Sequence, residues 1–327
     1  MNQQYDITVT VGTYNPQWEK LKATLNSIVE QRYVKLQIIV SDDGSDNPLH
    51  SEIRAYFSQV GFNDYKLIAS EKNQGTVCQF YRSICAADAE YIKPLSPGDL
   101  LYDNMVLSKW LDFTKKNNAD ITFGMAVFYN RKGGKLNVIR HGHKPRNMSI
   151  YRRPVSYRDK VINYLCLEDG ISGAAKMARK DVLIYYMKFL LNRVIYIEDY
   201  FIRLAVLDDR KIMHFPSTVI WYEFGDGGIS TTGERKWREP KRKDNLMAYE
   251  ICLECLDGGI TPNAEIRSWL LESIEFRKII SLTFLDKFTH YLKHPYWLVL
   301  KIYYKFFGEY SPTNIDDTFF NRCFRNT

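Results

Sequence analysis

Residues 7–15 read Ile-Thr-Val-Thr-Val-Gly-Thr-Tyr-Asn, and residues 37–45 read Gln-Ile-Ile-Val-Ser-Asp-Asp-Gly-Ser. Each is an apolar run, rich in β-branched residues, that stops abruptly at small polar ones. That is how a buried strand of an open α/β sheet ends. Ligands in such sheets bind beyond the carboxyl ends of the strands. Thr13, Tyr14 and Asn15 are therefore expected to face one crevice together with Asp42 and Asp43, a polar cluster with two acids that suits a nucleotide.

Working outward, residues 18–31 place Leu21, Leu25 and Ile28 at helical spacing. A second helix is expected over 49–60, with Ile53, Phe57 and Val60 on one face, and a strand over 65–69. The loop Glu71-Lys72-Asn73-Gln74-Gly75 opens a helix over 73–87. A strand over 91–95 ends in the polar turn Ser96-Pro97-Gly98-Asp99. This alternation predicts a largely parallel sheet flanked by helices. Beyond it come a helix over 104–117, a strand over 120–129 and a basic segment, 131–153, expected as an exposed excursion. Residues 154–175 carry no clear pattern. Helices over 180–192 and 198–207 and a strand over 212–223 follow. Gly225-Asp226-Gly227-Gly228 breaks the regularity, a basic stretch runs from Glu234 to Lys243, and the rest is helical by pattern. The expected organisation is an α/β domain over 1–230, then a basic loop and a C-terminal helical region over 231–327.

The 327 residues are 45% hydrophobic, 25% charged and 14% aromatic, enough apolar content for a full core. The net charge of +7 suits an anionic partner without choosing one. No secretory signal and no spanning apolar run is visible, so a cytoplasmic protein is expected. Cys252 and Cys255 form a CxxC inside an apolar helical pattern. With no second CxxC or paired histidines, a packed helix face is expected rather than zinc or redox chemistry.

Four landmarks in order and spacing resemble the nucleotide-binding half of a family 2 glycosyltransferase with the GT-A fold, a Rossmann-like sheet. They are Thr13-Tyr14-Asn15; Ser27-Ile28 and Gln31 leading into Asp42-Asp43-Gly44-Ser45; Asn73-Gln74-Gly75; and Glu90-Tyr91-Ile92 with Leu95 and Asp99. The resemblance implies an inverting transfer of one sugar from a nucleotide-sugar, a UDP-sugar, to a saccharide acceptor in capsule, exopolysaccharide or lipopolysaccharide synthesis. Thr13, Tyr14, Asn15, Asp42, Asp43, Asn73 and Gly75 would line the nucleotide. A carboxylate can accept from the imide N–H of uracil, and either Asp42 or Asp43 fills that role.

In the family an Asp-x-Asp motif after the fourth strand holds a divalent metal, Mn2+ or Mg2+, on the diphosphate. Here Leu95-Ser96-Pro97-Gly98-Asp99 stands where Leu-Asp-x-Asp-Asp is usual, which leaves Asp99 as the metal candidate and weakens the motif. Residues 195–203, Ile-Tyr-Ile-Glu-Asp-Tyr-Phe-Ile-Arg, resemble the family's Glu-Asp motif. By that match Asp199 is the general base, with Glu198 and Arg203 as secondary candidates. Gly227-Gly228-Ile229-Ser230-Thr231 lies where related enzymes have a mobile loop over the donor.

The aromatic, lysine-flanked segment 284–307 fits either an amphipathic helix on an anionic membrane surface or a helix packed on the domain. Membrane contact would suit a lipid-linked saccharide acceptor and a peripheral position on the inner face of the cell membrane. No nucleic-acid partner is expected. The first strand lacks a following GxGxxG, against a dinucleotide enzyme, and lacks the Gly-rich basic loop of a nucleotidyltransferase. A nucleotide- or glycan-binding relic of the same fold is the alternative, motivated by the altered turn at 96–99.

Overall fold

The computed structural model describes residues 4–152, 155–225, 235–258, 264–279 and 289–325. Among these, β1 (Ile7–Thr13), β2 (Leu36–Asp42), β3 (Tyr65–Ala69), β4 (Tyr91–Leu95), β5 (Leu100–Leu101), β6 (Ile121–Lys132), β7 (Lys135–Ile139), β8 (Lys176–Arg179) and β9 (Ile212–Glu223) form one sheet. Its order is β3-β2-β1-β4-β8-β6-β9-β5, with β7 on β6 outside that path. Pairing is parallel from β3 through β2 and β1 to β4, and again between β6 and β9. The strand β8 runs antiparallel between β4 and β6 and joins the two parallel blocks. The expected α/β class with helical flanks and C-terminal helices holds.

Helices cover both faces. Side chains alternate along a strand, so on β2 Ile38 and Val40 face one layer and Ile39 the other. The first layer holds α1 (Trp18–Val29), α2 (His50–Val60) and α4 (Val106–Lys116), which pack Leu21, Leu25, Ile28, Ile53, Phe57 and Trp110 on the sheet. The second holds α3 (Thr76–Ala86) and the helices Lys180–Leu190, Phe201–Leu207 and Arg238–Asp257. Thr13 of β1 pairs in register with Asp42 of β2, so those strands end level with each other.

Three segments differ from expectation. Residues 131–153 are not simply exposed: β6 and β7 form a hairpin, and His143, Met148, Ile150 and Tyr151 are buried. Residues 154–175 contain the helix Tyr157–Val161, which continues as a π-helical turn over Ile162–Cys166. All of Val161–Leu167 is buried, Asn163 included, so the run offers no clear alternation of polar and apolar residues from which to read a period. The basic stretch does not stay a loop. From Arg235 it is helical, and the helix Arg238–Asp257 buries Ala248, Tyr249, Ile251, Cys252 and Cys255 in the same core as α3. Cys252 and Cys255 are free thiols on that packed face, as expected. The expected boundary at 230 and the loop from Gly227 to Thr231 lie outside the described residues.

Candidate active site

The expected site lies where β1, β2 and β4 end. Asp43 N–H donates to Thr13 O at 2.9 Å and locks the two strand ends together. Asp42 accepts from Thr13 Oγ1 at 3.0 Å, from Ser45 N at 2.8 Å and from Ser45 Oγ at 2.5 Å. Asp43 accepts from Gln74 N at 3.1 Å and Gly75 N at 2.8 Å, and pairs with Arg82 at 3.3 Å. The two carboxylates thus brace two loops: Asp42 shapes its own turn, and Asp43 ties the Asn73-Gln74-Gly75 loop to it. Both residues are almost fully buried, at 1% and 2% exposure. Tyr14, Asn15 and Asn73 are exposed at the same edge. Asn15 N donates to Ser45 Oγ at 2.7 Å, and its Oδ1 accepts from Asp46 N at 3.0 Å.

Sequence reasoning missed Gln79. Its amide donates to Thr13 O at 2.7 Å and Ser41 O at 2.6 Å, which satisfies two strand-end carbonyls from beneath. A long polar side chain among Val77, Phe80 and Ile84 on the buried face of α3 was the available signal.

The start of α3 links these strand ends to the second half of the chain. Val77 N donates to Ile195 O at 3.1 Å. The segment after Ile195 carries Glu198 and Asp199 on a short 3-10 turn that runs into the helix Phe201–Leu207. Two buried residues hold this segment. Asp244 accepts from Ile195 N at 3.2 Å and Tyr196 N at 2.6 Å. Lys176 of β8, with 1% of its side chain exposed, ion-pairs with Asp199 and stands 4.0 Å from Glu198. Asp199 also lies flat against Gly173, where a Cβ would stand 2.1 Å from Oδ2. Only glycine admits the carboxylate there. Burial and the neighbouring Asp199 push Glu198 up to about 7, against the pull of Lys176. Lys176, Asp244 and Gly173 lie 23, 45 and 26 residues from Asp199, and no local motif announces them.

Arg203 faces elsewhere. Its guanidinium donates to Asn245 Oδ1 at 2.7 Å and stacks 3.9 Å from the Tyr200 ring and 4.3 Å from the Tyr249 ring. It joins the helix Phe201–Leu207 to the helix Arg238–Asp257 and is not brought to the reactive end of Asp199.

Asp99 is turned inward. It is 5% exposed, its Oδ1 accepts from Glu223 N at 3.2 Å, and burial pushes it up to about 7. Beneath it Lys93 is buried, donates to Pro94 O at 2.7 Å and Ala174 O at 2.5 Å, and is pulled down to about 7 by burial. Ser96 and Gly98 supply no carboxylate. Among the described residues no group of three or more His, Cys, Asp or Glu side chains could hold a metal ion. With Asp99 buried and partly neutral, the side chains of this turn do not make a donor set for a divalent cation.

Comparisons with known proteins agree with this geometry. The family model for glycosyl transferase family 2 matches residues 8–186. No curated protein matches the sequence significantly. Among solved structures, S. aureus TarS superposes with a TM-score of 0.57 at 16% identity over 84% of this chain, which spans only 44% of that protein. The 1–349 fragment of TarS in complex with UDP-GlcNAc gives 0.57 at 15% identity, with 91% of this chain and 81% of the fragment covered. The mannosyltransferase PcManGT of Pyrobaculum calidifontis, in complex with GDP-Man and Mn2+, gives 0.55 at 13% identity, with 93% and 86% covered. At these identities the superpositions speak for the fold.

Proposed function

This chain belongs to glycosyl transferase family 2, and from that premise we propose that it moves one sugar from a UDP-sugar to a saccharide hydroxyl with inversion. One observation carries the proposal. Val77 of α3 donates to Ile195, three residues before Glu198, and Asp43 holds the Gly75 amide just ahead of α3, which supports reading the strand-end cluster and the two acids as one site.

Tyr14, Asn15 and Asn73 would line the nucleotide, on strand ends held by Thr13, Asp42, Asp43 and the Gly75 amide. Asp199 would face the acceptor. In a single displacement the acceptor oxygen bonds to the anomeric carbon while the bond to the diphosphate breaks, and the hydroxyl proton passes to the Asp199 carboxylate. Attack from the side opposite the leaving group inverts the centre. Lys176 positions Asp199, and the ion pair to this buried ammonium keeps that carboxylate from turning away. A divalent metal in this family neutralises the departing diphosphate; the side chains of the turn at Asp99 do not fit one.

The acceptor is proposed to be lipid-linked, in assembly of a cell-surface polysaccharide at the inner face of the membrane. Support comes from the helix Pro295–Phe307, which leaves Tyr296, Val299, Ile302, Tyr303, Phe306 and Phe307 more than half exposed. Among the described residues no helix is long and apolar enough to cross a membrane. A thermal-shift panel of nucleotides and nucleotide-sugars tests the donor site, followed by nucleotide release with short glycan acceptors. Selective stabilisation by UDP or a UDP-sugar with turnover is expected. Stabilisation without turnover on any donor would favour the binding relic, for which the altered turn at 96–99 speaks. No stabilisation of folded protein would sink the proposal.

A further inference from the structure

The turn at 96–99, which keeps only Asp99 of its acids, receives a second carboxylate from elsewhere in the chain. A Cβ on Gly98 would stand 2.4 Å from Glu223 Oε2 and 3.0 Å from its carboxyl carbon, so a carboxylate from the end of β9 occupies the space of the absent side chain. That carboxylate is clasped by the ammonium of Lys20, 2.9 Å from Oε1 and 2.9 Å from Oε2. Lys20 lies in the first turn of α1, directly after the Thr13-Tyr14-Asn15 edge. One turn further along α1, Thr24 Oγ1 accepts from Gly98 N at 3.0 Å and pins the turn to the helix. The ammonium is therefore fixed above the turn at 96–99, at the carboxyl edge of the sheet, with 19% of its side chain exposed.

We propose that this chain binds the diphosphate of its donor without a divalent metal, and that Lys20, held by Glu223, is the cation that faces it. The inference rests on the nucleotide-sugar reading above. The cation at this place is then a fixed ammonium in place of a metal ion. An ammonium is a compact point charge with three donors, well suited to phosphate oxygens. Glu223 acts as the positioning residue, since a lone lysine on a helix would spread over many rotamers.

The test is calorimetric titration of the full chain with UDP and with GDP, after EDTA treatment and again with Mn2+, for wild type, Lys20→Met, Lys20→Arg and Glu223→Gln. Far-UV circular dichroism establishes that each variant is folded. Wild type in EDTA is expected to bind, with Mn2+ changing affinity little. Lys20→Met should weaken binding about tenfold or more, as loss of a charge-assisted phosphate contact does. Lys20→Arg should retain most of it, and it stands in if Lys20→Met fails to fold. Binding that requires Mn2+ and is abolished by Glu223→Gln would make Glu223 a metal ligand and overturn the proposal, while leaving the transferase reading intact. Metal-free binding that ignores Lys20→Met would overturn the role of Lys20. Absence of nucleotide binding under every condition would instead remove the donor reading on which the inference stands.

Discussion

At the scale of single residues, the position of Asp199 depends on what lies beneath it. Gly173 leaves no room for a methyl group, 2.1 Å from Oδ2. Gly173→Ala should displace the carboxylate without unfolding the chain, and misplacement of about 1 Å is enough to cost about 100-fold in rate. The expected signature is a fall in kcat with donor KM and circular dichroism unchanged; a matching loss of donor affinity would contradict it. Asp199→Asn removes the proton acceptor itself and should lower kcat by about 10²–10⁴-fold, again with UDP affinity kept in titration. Glu198 offers a pH test. Its folded value near 7 exceeds its ordinary 4.5, so between those values the native state keeps a proton that the unfolded chain has released. Stability from this group is therefore lost as pH rises from about 4.5 to about 7. Glu198→Gln cannot titrate and should flatten that part of the curve. Urea midpoints at several pH values across the window decide it, and parallel curves for the two proteins would refute it.

At the scale of elements, the segment 195–199 depends on a helix far along the chain. Asp244 of the helix Arg238–Asp257 accepts two backbone N–H groups at its start. Asp244→Ala leaves both donors without their charged partner, a loss of about 3 kcal/mol in all, which for a chain of this size lowers Tm by about 4 °C. Calorimetry should record that drop together with a loss of turnover, and an unchanged Tm would dismiss the brace. This dependence also explains what could be read in advance. The strands over 65–69 and 212–223 were legible because apolar runs bounded by polar turns are local signals. Asp42, Asp43, Asn73, Gly75, Glu198 and Asp199 stood out because short motifs carry them. Lys176, Asp244 and Glu223 did not, because each meets its partner across long sequence separation, and a buried lysine or aspartate looks in sequence like any surface charge. The basic stretch at 235–243 was misread for a related reason. Its charges suggest a solvated loop, while the apolar residues that dock the helix begin only at Leu246.

At the scale of the whole molecule, the C-terminal part closes the second helical layer and then presents a face outward. The helix Pro295–Phe307 is anchored on one side: Trp297 is buried with His294 stacked 3.7 Å away, and Tyr304 receives a hydrogen bond from Asn147 at 2.6 Å and lends its carbonyl to Arg146. The packed alternative for this tail is thus met on one face of the helix, while residues 284–288 of the segment lie outside the described residues. The other face, Tyr296, Val299, Tyr303 and Phe306 at three- and four-residue spacing, remains exposed with Lys301 and Lys305 beside it. Aromatic side chains favour the headgroup boundary, and lysines add attraction to an anionic leaflet that salt screens. The protein is therefore expected to sediment with vesicles that contain anionic phospholipid, less with purely zwitterionic ones, and less again as salt is raised. Phe306→Ser combined with Phe307→Ser removes two exposed rings and no packing partner of Trp297, so it should abolish sedimentation while Tm and turnover on a short water-soluble acceptor stay near wild type. Sedimentation that survives the double substitution would assign the contact to another surface. Loss of turnover on the soluble acceptor would show instead that this face belongs to the catalytic fold.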